Sequence, residues 1–131
     1  MSEEKVPNEL HYTKSHEWVR VEGNIATVGI TDHAQAALTD IVFVDLPAAG
    51  KAATKGGSVL VLESVKTVAD VYAPGNGSVT EGNAELKTHP ELVNQDPYGK
   101  GWLYRLQLSA PIEAGELMSA AEYRAFVASG K

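Results

Sequence analysis

Val59-Leu60-Val61-Leu62-Glu63-Ser64-Val65-Lys66-Thr67-Val68-Ala69-Asp70-Val71-Tyr72 is the stretch that decides how this chain folds. Val59 to Leu62 is a continuous apolar run of strand length. Val68, Ala69, Val71 and Tyr72 continue in kind until Pro74-Gly75-Asn76-Gly77 ends the segment. Short Val-rich runs bounded by Gly and Pro read as strands rather than helices. Two strands joined tightly at Val65-Lys66 put the lysine at a hairpin tip. A two-residue hairpin turn favours Asn-Gly or Gly-X because φ becomes positive there, and a β-branched valine resists positive φ. The tip is therefore expected to use another geometry, or a wider loop held by the strands beside it. A lone loop lysine is ordinarily a solvated charge. A locally disfavoured residue inside a well-formed pattern is, however, where a functional demand is expected.

Outward from the hairpin, further short strands follow. Ser15 to Val21 reads as a strand, Glu22-Gly23-Asn24 as its turn, and Ile25 to Ile30 as the returning strand. Thr31-Asp32 offers an N-cap for a short helix over His33 to Leu38, with Gln35 three residues after Asp32. Ile41 to Val44 and Ser78 to Thr80 read as strands. Thr88 to Gly101 reads as a long loop, and Trp102 to Leu108 alternates as a last strand. Ser119-Ala120-Ala121-Glu122 matches a capping box, and Tyr123, Phe126 and Val127 share one face of a helix over 119–129 that Gly130 stops. Many short strands separated by turn signals predict a mainly β sandwich or barrel with peripheral helices. One domain over 1–131 is expected, with residues 1–10 as a polar lead.

The chain has 131 residues, no cysteine and a net charge of −6. Disulfides, thiolate metal sites and a cysteine nucleophile are therefore excluded, and phosphate-tracking nucleic-acid binding is disfavoured. No apolar stretch approaches membrane-spanning length. Met1-Ser2-Glu3-Glu4-Lys5 resembles neither a secretory nor a transit signal, so the cytoplasm is the expected address. His11, His16 and His89 show no metal-ligand spacing, and no His-x-x-x-His occurs. No Gly-rich phosphate loop or Ser-centred elbow supports a stand-alone enzyme. Trp18 and Trp102 read as core or rim packing, and Glu3, Glu4, Glu81 and Glu85 as surface acids. Chemically, the primary amine of Lys66 is a suitable point for amide attachment of a long acyl cofactor, which would turn its side chain into a tether.

Glu63-Ser64-Val65-Lys66, followed by Val68-x-Asp70-x-Tyr72-x-Pro74 and Gly77, resembles the lipoyl-attachment segment of the glycine cleavage system H-protein family. The resemblance extends to Ser15-His16-Glu17-Trp18-Val19, Val28-Gly29-Ile30-Thr31-Asp32-His33-Ala34-Gln35 and Val42-Phe43-Val44-x-Leu46-Pro47. Downstream it includes Pro90-x-Leu92-Val93-Asn94, Asp96-Pro97-Tyr98-Gly99 and Gly101-Trp102-Leu103. It implies a barrel-sandwich hybrid fold, two antiparallel sheets with a short internal helix and a C-terminal helix, and lipoate joined covalently to Lys66 as N6-lipoyl-lysine. The implied work is that of a non-catalytic, monomeric shuttle. It would take an aminomethyl group from a pyridoxal-phosphate (PLP) glycine decarboxylase to an aminomethyltransferase, which passes the one-carbon unit to tetrahydrofolate. Its dithiol would then go to dihydrolipoyl dehydrogenase. A lipoate-attaching enzyme would read Glu63, Ser64, Val65 and Thr67 around the lysine; Thr67 stands where alanine is common in the family.

The same resemblance associates Ser15, Glu17 and Asp70 with a cleft that holds the loaded arm; His33, which opens the short helix, is expected at its border. On a strand Ser15 and Glu17 face one way and His16 and Trp18 the other. Carboxylates at Glu17 and Asp70 would neutralise a cationic amine and accept its hydrogen bonds; the alternative is that both are ordinary solvated acids. A biotin acceptor is disfavoured because Val65 and Thr67, not methionines, flank the lysine. A dehydrogenase-complex lipoyl domain is disfavoured because Val65, not an aspartate, precedes the lysine, and by the Ser15-His16-Glu17-Trp18 strand and the terminal helix. An H-like lipoate relay, which hands its lipoyl group to other enzymes, would use the same lysine.

Overall fold

The computed structural model describes residues 5–112 and 115–130. Glu3 and Glu4 lie outside the described residues. In chain order the strands are β1 His11–Tyr12, β2 Glu17–Glu22, β3 Ile25–Ile30, β4 Ile41–Asp45, β5 Ala52–Ala53, β6 Ser58–Ser64, β7 Val68–Tyr72, β8 Gly77–Gly82 and β9 Tyr104–Leu108. The helices are α1 Asp32–Leu38, α2 Leu92–Gln95 and α3 Ala120–Ala128, with a 3₁₀ turn at Ala84–Lys87. A six-stranded sheet of order β1-β2-β3-β9-β8-β5 faces a three-stranded sheet of order β4-β6-β7. All pairings between strands are antiparallel. The expected mainly β sandwich with an internal and a C-terminal helix is the fold observed.

The alternation of each strand explains the layers. On β2, Val19 joins the main core with Val28, Leu62, Val71 and Leu106 between the sheets. Trp18 points the other way, into a second cluster with Leu10, Tyr12, Ala120 and Tyr123 beneath α3. The Ser119 capping box forms as expected: its hydroxyl accepts from the Glu122 amide, and the Glu122 carboxylate accepts from the Ser119 amide. Such a cap contributes about 1 kcal/mol. Glu81, expected as a surface acid, pairs with Arg105 at 2.8 Å, and the Arg105 guanidinium lies 4.1 Å from the Trp102 ring centroid.

Several expectations differ from the structure. The strand expected from Ser15 begins at Glu17, because Thr13–His16 forms a turn in which His16 adopts φ 69°. The N-cap of α1 is Thr31, whose hydroxyl accepts from the Ala34 amide, while Asp32 instead bonds the Gln35 side chain. The loop expected over Thr88 to Gly101 contains α2, a single turn with no side-chain cap and too short to show a helical period. The two-residue β5 is missed for the same reason of length.

Two buried tyrosines make the fold sensitive to alkali. Burial first, with nearby Tyr98 and Glu9 for Tyr12 and with Glu17 for Tyr104, pushes both phenols well above the usual tyrosine range. Tyr12 donates to the Pro7 carbonyl at 2.6 Å and Tyr104 to the Tyr72 carbonyl at 3.2 Å. A group whose folded pKa is raised stabilises the fold fully below its unfolded value, near 10 for tyrosine. That contribution is lost as pH rises from there toward the folded value. Unfolding midpoints in urea should therefore fall steadily above about pH 10. Absorbance titration should show Tyr12 and Tyr104 ionising only as the chain unfolds; ionisation in the intact fold would contradict the buried assignment.

Candidate functional site

Lys66 sits at the tip of the β6–β7 hairpin, beyond the last paired rung, Glu63↔Val68. The tip avoids positive φ: among the described residues the only non-glycine positive-φ positions are His16 and Thr39. By contrast, the β2–β3 hairpin meets the same need with Gly23 at φ 64°. The lysine turn is organised by Ser64 instead. Its amide donates to the Thr67 carbonyl at 2.8 Å, and its hydroxyl accepts from the Lys66 and Thr67 amides at 3.3 and 3.1 Å. The Val65 amide donates outward, to the Asp40 carbonyl at 3.0 Å. All four consecutive tip amides are thus bonded. The Val65 and Lys66 side chains remain exposed, Val65 at 65 %.

Asp40 lies in the α1–β4 corner, where Thr39 adopts φ 64°, ψ −151°. This region is essentially glycine's, and a β-branched residue held there costs about 1–3 kcal/mol. Asn94 from α2 straps the corner. Its amide nitrogen donates to the Thr39 carbonyl at 2.7 Å and to Gln35 Oε1 at 3.1 Å, and its oxygen accepts from the Ile41 amide at 2.8 Å.

The register places a mixed surface beside the lysine. Phe43, Glu63 and Val68 lie abreast on the outer face of the small sheet, and Asp45, Val61 and Asp70 form the next row. Phe43 and Val68 are 50 % and 62 % exposed, so the patch is apolar with acids interspersed.

A groove of about 200 Å³ runs between α1 and the hairpin, walled by Ala34, Ala37, Leu38, Leu62, Ala69 and Val71. Ser15, His16, Glu17 and Asp70 also border it. Three of the four residues expected at a cleft, Ser15, Glu17 and Asp70, are therefore brought together. The His33 ring lies 4.8 Å from that of His16, which borders the groove, while His33 itself is not among the residues that wall it. A second hollow of about 370 Å³ also touches Ser15 and Glu17 and is lined by Tyr12, Lys14 and Met118. Only the smaller groove is walled by Leu62 and Ala69, the rung next to the last pair before the tip.

The two acids differ in kind. Asp70 is exposed and accepts from the Ser58 hydroxyl at 2.8 Å. Glu17 is 1 % exposed. Its Oε1 accepts from the Thr13 hydroxyl and, at 2.6 Å, from the Ser15 hydroxyl, while Oε2 accepts from the Tyr72 amide at 3.1 Å. Ser15 meets Glu17 through the Thr13–His16 turn rather than by strand alternation. Because Tyr104 bonds the Tyr72 carbonyl, the two sheets are pinned at Tyr72 from both sides. A carboxylate offers about four acceptor positions, and three of those of Glu17 are engaged by Thr13, Ser15 and Tyr72. Sequence reasoning gives no site role to Thr13, Thr39, Asp40 or Tyr104, and reads Tyr72 and Asn94 only as parts of family-like segments. Apart from Thr13, which meets Glu17 four residues on, each acts through a long-range contact that leaves no local pattern.

A covalently held acyl group fits this arrangement. The amine is accessible, the groove walls suit a hydrocarbon chain, and its acidic end suits a cationic amine. From the tip to Ala69 is about 10 Å at strand spacing, less than the reach of a lysine side chain extended by a fatty-acyl-length group. Among the described residues, no three His, Asp or Glu side chains gather to hold a metal ion. No described helix is long and apolar enough to cross a membrane.

Residues 10–130 match the family model described as Glycine cleavage H-protein. A glycine cleavage system H protein of Symbiobacterium thermophilum is 53 % identical over 125 residues, 95 % of this chain and 98 % of the relative. One from Thermotoga maritima is 50 % identical over 117 residues, 89 % of this chain and 94 % of its own. Among solved structures, a glycine cleavage system H protein from Mycobacterium marinum superposes with a TM-score of 0.84 at 39 % identity, covering 96 % of this chain and all of that one.

Proposed function

The chain belongs to the glycine cleavage H-protein family, and on that premise we propose that it is a lipoylated, non-catalytic carrier with Lys66 as the attachment residue. Its partners are then the PLP-dependent glycine decarboxylase, the aminomethyltransferase, dihydrolipoyl dehydrogenase and a lipoate-attaching enzyme, met by one monomeric domain in the cytoplasm. The observation that carries this reading is the exposed lysine on a turn whose four amides are all bonded, next to an apolar groove with an acidic end. When attached, lipoate supplies a disulfide that accepts a carbon group and electrons. The residues of the chain do the rest. Ser64 and Asp40 fix the turn, so an attaching enzyme meets one geometry at the lysine. Glu63, Val65, Thr67 and the Phe43–Val68 row give it a surface to read.

Leu62, Ala69 and α1 shelter an apolar arm from water, in line with the role of water exclusion around labile groups. Glu17 and Asp70 neutralise a bound amine, and Ser15 and Thr13 orient the Glu17 carboxylate. A pure relay has no need of such an acidic groove end, which favours the carrier. Intact-mass measurement of the protein incubated with lipoate, ATP and an attaching enzyme tests the reading. One lipoyl increment, mapped to Lys66, is expected; an unmodified chain with full carrier activity would sink it.

Glu17→Gln tests the groove separately. Glutamine keeps the shape, and the hydroxyl groups of Thr13 and Ser15 can rotate to accept from its amide while its oxygen serves Tyr72. Only the charge is lost. Lipoylation should be unchanged, and the aminomethyl-loaded protein should lose its cargo about tenfold faster, the scale of one charge-assisted hydrogen bond. An unaltered lifetime would remove the Glu17 charge from cargo holding.

A further inference from the structure

Asn94 belongs to none of the roles above, yet its side chain hydrogen-bonds α2 to the corner behind the lysine turn. Its amide makes three hydrogen bonds, to Gln35 Oε1, the Thr39 carbonyl and the Ile41 amide. Two of these grip the backbone on either side of Asp40. Asp40 in turn offers its carbonyl to the Val65 amide at 3.0 Å, one residue before Lys66. Thr39, held at φ 64°, would relax out of this conformation if released. Relaxation there turns the Thr39–Asp40 peptide and, through it, the Asp40–Ile41 peptide, whose plane holds both the Asp40 carbonyl and the Ile41 amide that Asn94 grips.

We propose that Asn94 is a positioning residue for lipoyl attachment: by clamping the strained Thr39–Asp40 corner it holds the Val65 amide and so presents Lys66 to the attaching enzyme in one conformation. The turn's internal bonds, all through Ser64, order Lys66 and Thr67 relative to each other. Only the Asp40 bond fixes this small unit against the rest of the protein at Val65. Without it the hairpin tip keeps its shape but swings about its two strands. An enzyme that must dock on the Phe43–Glu63–Val68 row and reach the amine at once would then meet a distribution of lysine positions. The cost falls on productive encounter, and therefore on KM, more than on the chemical step.

The inference rests on Lys66 being the attachment residue, and the test separates the two. Amide hydrogen exchange and lipoylation kinetics are measured on the full chain for wild type, Asn94→Ala, Asn94→Asp and Val79→Ala. Asn94→Asp preserves volume and can still accept from Ile41, but it loses both donors and sets a carboxylate against the Thr39 carbonyl. Val79→Ala loosens the core of β8, where Val79 is buried, without touching the clamp. Both Asn94 variants should exchange the Val65 amide about tenfold faster and raise the KM for the apo protein several-fold, with kcat little changed. Val79→Ala should lower the unfolding midpoint and leave the Val65 exchange and KM alone. Wild-type values in Asn94→Asp, or the same KM rise in Val79→Ala, would overturn the proposal.

Wild-type exchange under rising denaturant decides the matter even if the variants fold poorly. The Val65 and Ile41 amides should open together, apart from Thr67; opening of Val65 with Thr67, ahead of Ile41, would refute the clamp. A wild-type chain that takes up no lipoyl group fails the attachment reading instead, and the Val65 exchange then decides the clamp alone.

Discussion

Lys66→Arg should abolish lipoyl attachment and carrier activity together while leaving the fold untouched. Lys66 is exposed, and its backbone amide reaches only Ser64 Oγ, a bond any residue can make. Arginine keeps the positive charge and most of the apolar stem, so solubility and the turn are preserved. Its guanidinium, however, stays protonated in water and is no acyl acceptor. Intact mass should show one lipoyl increment for wild type and none for the variant, with superimposable circular dichroism and unfolding curves. Carrier turnover with the partner enzymes should drop to background. Residual attachment in Lys66→Arg would point to another of the lysines, and the hairpin would lose its assigned role.

Trp18→Ala should cause the largest loss of stability of any single change considered. Trp18 is fully buried in the cluster under α3, and its indole nitrogen donates to the Pro97 carbonyl at 2.8 Å. Its ring also lies against Gly29, where an added Cβ would come to 2.5 Å from the indole nitrogen. Removing the ring leaves a cavity between β2, β3 and the segment around Pro97, and it strands a buried carbonyl. Truncation of a buried tryptophan costs about 3–5 kcal/mol. For a chain of this length the melting temperature should fall by on the order of 15 °C. Trp18→Phe refills most of the space and loses mainly the hydrogen bond, about 1 kcal/mol. Urea unfolding of the three proteins checks the order. A Trp18→Ala loss near that of Trp18→Phe would mean that the site collapses around the gap.

The two changes mark what was legible from sequence and what was not. The lysine hairpin, the flanking strands and the α3 capping box were readable because each depends on neighbours within a few residues, where propensity and spacing act. The placement of Trp18 opposite Glu17 followed from alternation alone. Other features depended on contacts that no local pattern encodes. Ser15 reached Glu17 because His16 turns the backbone to φ 69°, not because a strand runs through it. The third bond to Glu17 comes from Tyr72, 55 residues away. Asn94 sits in a single helical turn too short to show a helical period, and its importance lies wholly in what it meets 53 to 59 residues upstream. His33, expected at the border of the cleft because it opens the short helix, lies against His16, a groove residue, and not in the groove wall itself. Helix-start position alone does not say which way an imidazole turns.

The bonded amides of residues 64–67 make the lysine turn a mast and not a rope. A flexible loop would add its own wandering to that of any arm, spreading the far end through a volume that grows with every loose residue. A fixed pivot confines that end to a shell whose radius is the arm's own length. The orientation of the body then decides which part of the shell faces a partner. Distances between partner active sites thus become a property of how the partners grip the body. Lengthening the turn by even a short glycine insert would blur that shell without altering the arm.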